Sequence, residues 1–408
     1  MEQRNAGLNG AGTRNPARLR AFLLLCAMGL LGRLSYEMLR TPVTALYARH
    51  LGAPDALVGL LVSAVTITGI FVKLPAGIFA DRLGASRLLG AGLLVKATAP
   101  FLYPLAATPV ALLFVRLYHG LSTALYAPAA SAEAARSVPA QRGRRLGFYG
   151  AAENAGVVLG PVLGAALLAQ SGFALAFAAS GVIGILAFLP VLAYHPAGPA
   201  PTAKTPRDGA LAAVRQVVAQ VAHDPQIRVA GLVEATLYAA IGTVQAFFPL
   251  YAAGAGLSVW ETGLALGGQG VASILLRPWM GALGDRRGRT GPIASGLVAC
   301  AASLAALPHA SHLATLLPLL VCFGAGTAAV TPSTTALIGE RARQGALGSA
   351  MGVFGSLWDV GHAGGPLIAG LLVAALGYAW TFGIVAGTLL MALAAFARSA
   401  GTGRRSRA

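Results

Sequence analysis

Ten acidic or strongly basic side chains lie away from the edges of long apolar stretches of this chain, and their types and spacing offer the most chemistry. Four are carboxyls, Glu37, Glu153, Glu234 and Asp359; six are bases, Arg33, Arg40, Lys73, Lys96, Arg116 and Arg277. A charge held among apolar residues is costly, so each needs a partner or a task. A carboxyl in such a place can take up and release a proton, and a guanidinium or ammonium group can hold an anion. Arg33, Glu37 and Arg40 stand at i, i+4 and i+7, hence on one helical face. Glu37 then reads as a proton or substrate site whose Arg neighbour turns away during a cycle, or as a static ion pair. Asp359 and Glu234 are the next candidates for carrying a proton; Glu153, with Asn154 next to it, lies beside a glycine-proline motif and is a further coupling candidate. His119 and His362 read as proton relays or as satisfied interior histidines. Lys73 and Arg277 each precede an Asp by eight residues; they read as cations lining a pathway symmetrically, or as cations tied to nearby carbonyls.

The elements that must position these groups are set by composition. Of 408 residues, 56% are hydrophobic and 11% charged, against roughly 25% charged in an ordinary soluble domain. That balance excludes a disordered chain, a coiled coil and a water-soluble enzyme. Twelve stretches approach or exceed the roughly 20 apolar residues needed to cross a bilayer: 19–46, 56–80, 86–106, 109–132, 146–170, 173–194, 226–252, 260–284, 291–308, 313–337, 346–375 and 378–398. The expected fold is all-α and integral to the membrane, with twelve transmembrane helices.

The net charge of +17 would point to nucleic acid in a soluble protein. Its placement points to lipid instead. Outside the spans, every Lys and Arg except Arg49 lies in the two tails, in the even-numbered connections or at their edges. By the positive-inside rule both termini are cytoplasmic, in a multi-pass protein of the inner (plasma) membrane. No nucleic-acid partner is expected. The first twenty residues are polar and the next span is too long for a signal sequence, so no cleavable leader is expected. Cys26, Cys300 and Cys322 all fall within spans and read as small packing residues, not as a disulfide framework or metal site. No phosphate-binding loop exists to use ATP, and no nucleophile–base pair or metal cluster stands in the spans. The chain is therefore not expected to be an enzyme or to carry a cofactor, and it is expected to act as a monomer.

A shift of 204–205 residues brings the halves into register: Tyr47 on Tyr251, Gly52 on Gly256, Gly59 on Gly263, Asp81-Arg82 on Asp285-Arg286, Gly120 on Gly324, Pro128 on Pro332, Gly160-Pro161 on Gly365-Pro366 and Gly172 on Gly377. Six spans precede the break and six follow it. Parallel repeats of this kind build many secondary transporters, with the site at their interface near the bilayer midplane. The expected division is a tail (1–18), a six-helix bundle (19–194), a linker (195–224), a second six-helix bundle (225–398) and a tail (399–408). The linker begins as a proline-rich spacer and continues with Leu211, Val214, Val217, Val218 and Val221. That spacing reads as an amphipathic helix on the membrane surface or as a plain packed helix.

Three motifs recur within this frame. Between spans 2 and 3 stands Gly77-Ile-Phe-Ala-Asp81-Arg82-Leu-Gly84, and between spans 8 and 9 Gly281-Ala-Leu-Gly-Asp285-Arg286-Arg-Gly288-Arg289. Glycines allow a tight turn, and the Asp can cap a neighbouring helix N-terminus. Span 4 carries Arg116-Leu-Tyr-His119-Gly120. Span 5 carries Gly147, Gly156, Gly160-Pro161 and Gly164, repeated in span 11 as Gly352, Gly361 and Gly365-Pro366; small residues four apart let helix backbones approach closely.

With these motifs the chain resembles the major facilitator superfamily over residues 18–398. Its signature loop is G-x-x-x-D-R-x-G-R, matched fully by the second copy, while the first reads Ala85-Ser86-Arg87 after Gly84. The resemblance implies that this loop gates the transporter and that Arg116 takes part in proton transfer by acting on a nearby carboxylate. The span 5 pattern is similar to the antiporter motif of exporters in that family. The implied function is proton-coupled efflux of a small organic compound or drug by alternating access, with protons and the substrate as partners. The alternative is a proton symporter importing an anionic metabolite, which the cationic excess within the spans favours.

The topology has a direct test. In a chain with Cys26, Cys300 and Cys322 replaced by Ser, an impermeant maleimide added to intact cells should label Ala53→Cys. It should label Ala203→Cys only after the membrane is opened.

Overall fold

The computed structural model describes residues 16–83, 85–136, 142–194, 225–341 and 347–405. Helix α1 (Pro16–Met38) continues through a widened turn (Leu39–Val43) into Thr44–His50. Pro42 has no N–H to donate and Thr41 leaves helical geometry, so the rod is interrupted in mid-course. Then follow α2 (Asp55–Leu83), α3 (Ala85–Leu102) and α4 (Pro109–Arg136). The run Arg142–Phe188 is divided at Gly172 into α5 and α6. After it come α7 (Pro225–Gly254), α8 (Val259–Arg287), α9 (Thr290–Ala306) and α10 (Leu313–Arg341). The run Leu347–Arg405 is divided at Gly377 into α11 and α12.

Gly172 (φ 77°) and Gly377 (φ 79°) occupy backbone conformations that a Cβ would strain. Glycine there lets one rod pass into the next without a loop. Among the described residues, nine stretches are long and apolar enough to cross a membrane. Two of them, of 49 and 46 residues, contain these dividing glycines and are each long enough to cross twice. Helix α8 falls outside the nine; it carries Glu261, Gln269, Arg277 and Asp285-Arg286-Arg287 along its length. Large apolar side chains such as Leu23, Phe114, Leu192, Trp380 and Met391 are exposed, as a surface solvated by lipid requires.

The repeat is visible in the hydrogen bonds. The Tyr47 hydroxyl donates to the Ala106 carbonyl at 3.3 Å, and the Tyr251 hydroxyl to the Ala310 carbonyl at 2.8 Å. The turns after α1 and α7 match bond for bond: Ala53 N–H to Ala48 O and Leu257 N–H to Ala252 O. A methyl group placed on Gly120 would meet the Val65 carbonyl, and one on Gly324 the Gln269 carbonyl, positions that correspond under the same shift.

Each six-helix set packs chiefly on itself: α1 on α5 and α6, and α7 on α11 and α12. Two seams join the sets, α2 with α11 and α5 with α8. Glycines let both come close. A methyl on Gly59 of α2 would collide with the Pro366 carbonyl, and one on Gly263 of α8 with the Ala165 methyl. Gly370 faces the Asp55 carbonyl, and the Arg49–Asp55 ion pair lies at the same end.

The core follows the seams. One apolar cluster takes residues from both sets, among them Val43, Val58, Leu168, Val244, Phe247, Leu266, Ala369 and Phe382; its first-set members lie on the side away from the termini, whereas in the second set it runs on to Ile293 and Phe396. Two further clusters lie toward the termini. One holds Phe22, Leu25, Met28, Leu89 and Tyr126 of the first set, the other Ala230, Ile338 and Phe354 of the second. Among the described residues, the apolar cluster that joins the two sets thus draws on the first set only on the loop side.

Not every motif glycine packs closely. A methyl on Gly365 would strike the Ala239 backbone, whereas Gly147, expected to be a contact point, has open space around it. Gly365→Ala should destabilise the detergent-solubilised protein by about 1–3 kcal/mol, read as a lowered thermal midpoint. Gly147→Ala should leave the midpoint unchanged.

Candidate functional site

The bend in α1 and the glycines of α5 set the position of the first charge cluster. A methyl at Gly156 would lie 2.9 Å from Arg33 Cβ, and one at Gly160 2.5 Å from Glu37 Cβ. This stretch of α5 is therefore pressed against the α1 segment that bears the charges. Glu37, 3% exposed, receives Arg33 Nη2 at 2.8 Å and Arg40 Nη1 at 3.2 Å, both on the same oxygen, Oε1. The Tyr36 ring lies 5.7 Å from each guanidinium, within reach of a cation–π attraction.

From this cluster polar contacts cross to the second set. Arg40 Nη2 donates to His362 Nε2 at 2.8 Å, and Gln245 Oε1 of α7 lies 3.0 Å from the same nitrogen. Thr66 of α2 lies 3.4 Å from His362 Nδ1, and the Ser63 hydroxyl donates to the Ala363 carbonyl at 2.6 Å. Lys73 Nζ meets Asp359 Oδ2 at 2.5 Å. One turn nearer the termini, Trp358 stacks on Tyr238 with centroids 5.3 Å apart and planes 6° apart; Phe354 meets Trp358 edge-on. Four helices, α1, α2, α7 and α11, thus converge on one polar and aromatic surface.

Arg116 occupies a different place. Fully buried, it donates through Nε to the Leu61 carbonyl at 2.9 Å and through Nη2 to the Val62 carbonyl at 3.0 Å. Nη1 reaches the hydroxyls of Tyr103 and Thr44, and Tyr103 in turn contacts His119 Nδ1 at 3.0 Å. Among the described residues no carboxylate pairs with Arg116. It ties α4 to α2, which is the work its donors do here.

Two further buried groups lie off the main surface. Lys96 sits 4.3 Å from the Tyr126 ring, with Glu153 its strongest attractive neighbour. Glu234 is fully buried and accepts from the Thr334 hydroxyl; its Oε2 has no partner, nor has Arg277 Nε. Lys73 and Arg277, matched by the repeat, therefore differ: the first is paired across the sets with Asp359, and Arg277 makes no ion pair among the described residues.

At the α8–α9 turn, Gly288 (φ 87°) reverses the chain. Arg289 Nη2 binds Asp285 Oδ1 at 2.6 Å and Glu340 Oε1 of α10 at 2.9 Å. Asp285 does not cap α9, which starts without a side-chain cap; it is engaged by Arg289 instead. Hydrogen bonding to Glu340 holds the Arg289 guanidinium above its ordinary range. Arg286 is exposed and Gly281 has open space beside it. In the first copy Gly84 lies outside the described residues, as do the side chains of Asp81 and Arg82; Gly77 lies on α2. Gly352 lies on α11, its surroundings outside the described residues. Gly164 and Gly361 abut the carbonyls of Met38 and Ala235.

The sequence reading missed Gln245, Tyr238, Trp358 and Thr66 as members of this surface. One signal was present: Phe354, Trp358 and His362 recur every four residues and so share a helical face.

Comparisons with known proteins agree with this architecture. The family model described as Major Facilitator Superfamily matches residues 25–365 and again 238–407. An uncharacterised MFS-type transporter of Methanocaldococcus jannaschii is 22% identical over 340 residues, covering 83% of this chain and 87% of that one. The quinolone resistance protein NorA of Staphylococcus aureus is 27% identical over 169 residues, 41% of each chain. Among solved structures, a mutant of the nucleoside transporter NupG superposes with a TM-score of 0.79 at 15% identity, covering 93% of this chain and 99% of that one. A bacterial homolog of the human lysosomal transporter Spinster, inward-facing and unoccupied, gives 0.76 at 16% identity, with 96% of each covered. The chain belongs to the Major Facilitator Superfamily of membrane transporters.

Proposed function

We propose that this transporter exports a small organic compound in exchange for protons, its two six-helix bundles (19–194 and 225–398) rocking about the shared seams. In this reading the termini and the linker 195–224 face the cytoplasm. One observation carries the reading. The two copies of the glycine motif press on the two segments that hold buried carboxyls: Gly160 on Glu37, and Gly361 on the backbone of Ala235, next to Glu234. A shift of α5 against α1, or of α11 against α7, therefore moves a carboxyl. The partial similarity to NorA, named for quinolone resistance, supports efflux as the direction.

Glu234 is the proton carrier in this reading. Glu37 is held by two guanidinium groups and Asp359 by Lys73, whereas no cation lies within ion-pair distance of Glu234 among the described residues. An unpaired buried carboxyl holds charge only at high cost. A proton bound there in one state and released in the other couples the membrane gradient to the cycle. The potential contributes about 2.3 kcal/mol per charge per 100 mV. That supports one to two decades of accumulation per proton at about 1.4 kcal/mol per decade. A second reading, proton-coupled uptake of an anionic metabolite, draws on the two guanidinium groups that share the single carboxylate of Glu37.

Everted vesicles energised by respiration should accumulate substrate with proton release from their lumen. Uptake by whole cells with alkalinisation of the medium would select the symporter instead. Glu234→Gln should reduce gradient-driven accumulation at least about tenfold and leave substrate exchange across an unenergised membrane intact; unaltered accumulation would return the role to Glu37 or Asp359. Arg289→Gln, which releases both Asp285 and Glu340, should slow turnover while substrate affinity holds. A loss confined to affinity would show that the triad does not gate.

A further inference from the structure

We propose that the central surface is built for a planar aromatic anion, a ring system bearing one carboxylate or an equivalent acidic group. This rests on the transport reading above and names the class of its substrate. The argument begins with charge. Arg33 and Arg40 both bind the one oxygen of Glu37, so two guanidinium groups are matched by one carboxylate. The other surface cation, Lys73, has its own partner in Asp359. One positive charge on α1 is left without a counter-ion. Arg33 is the more accessible of the two, with 30% of its side chain exposed, and its Nε carries a buried N–H with no acceptor.

The second part of the argument is shape. Tyr238 and Trp358 lie stacked with planes 6° apart, and Tyr238 also meets His362, to which Arg40 donates. The aromatic pair therefore borders the same network as the guanidinium groups. Trp358 Nε1 is a second buried N–H with no acceptor. Guanidinium and indole nitrogens can only donate. A ligand that satisfies both must bring acceptor oxygens, and one that packs beside the ring pair gains most by being flat and apolar. A carboxylate supplies the missing charge and can accept two parallel N–H bonds from a guanidinium. Outward movement of a monoanion against an inward proton carries two charges in the direction the potential favours.

The test uses the full chain, purified in detergent, with equilibrium binding of radiolabelled 2-naphthoate, 2-naphthamide and a naphthyl trimethylammonium cation. The acid should bind at least about tenfold more tightly than the amide, and the cation most weakly. Arg33→Gln should erase the preference for acid over amide, Arg33→Lys should keep part of it, and Trp358→Leu should weaken acid and amide alike. Equal affinity for acid and amide in the unaltered protein overturns the proposal, as does tightest binding of the cation or no saturable binding of the acid. Should Arg33→Gln fail to fold, the acid-to-amide ratio of the unaltered protein decides. Binding needs no gradient, so the two readings can fail separately. Loss of acid preference with proton-driven export intact removes the substrate class alone. Acid preference without proton exchange removes the export reading alone.

Discussion

Close approach at glycine is the constraint on which the rest of this molecule depends. At Gly59 against the Pro366 carbonyl and at Gly263 against the Ala165 methyl, helices from opposite sets come so near that one more methyl group does not fit. Helices in lipid gain little from burying apolar surface, since the tails around them are equally apolar; close packing is what holds them. Two such seams join the sets, and the first set contributes to the shared apolar cluster only on the loop side, its termini side having a cluster of its own. Packing between the sets is therefore unequal along the membrane normal among the described residues.

The polar network sits where the seams end. Arg40, His362, Gln245, Thr66, Lys73 and Asp359 come from four helices and both sets, and each contact spans the division between them or braces one that does. Arg116 and Tyr103 do a contrasting job inside the first set, where their bonds go to carbonyls, hydroxyls and His119. The same residue type thus ties helices within one set in one place and bridges the two sets in another. The difference lies in what it bonds: carbonyls of a packed helix in the first case, a side chain of the other set in the second.

Much of this was legible in the chain itself. The spans, the repeat and the glycine motifs follow from period, length and residue size, which are local properties. Arg33, Glu37 and Arg40 were readable as one cluster because i, i+4 and i+7 fix a helical face. The pairing of Lys73 with Asp359 was not readable, because the two stand 286 positions apart and meet only through the α2–α11 seam. The repeat even suggested otherwise, placing Lys73 and Arg277 in equivalent roles that the packing makes unequal. Gly147 misled in a similar way, since a small residue in a motif marks a contact only where a neighbour comes close.

Seams and charges together constrain how such a molecule can cycle. In the proposed cycle, opening the loop side parts Gly59 from Pro366 and Gly263 from Ala165. Lys73–Asp359 and Arg40–His362 bridge the same division nearer the termini and rearrange with it. Parting Lys73 from Asp359, whose side chains are 39% and 24% exposed, leaves two opposite charges each in need of a partner. The bare transporter therefore resists the change, and whatever compensates the separated charges lowers the barrier. In the proposed cycle an acidic group on the α1 guanidinium groups is one such species, and the proton on Glu234 is the other partner of the exchange. On this argument coupling needs no long-range wire: the substrate acts on the charges of α1 and the proton on Glu234 of α7, and the glycines of α5 and α11 pressed on those two helices convert either change into movement of whole bundles.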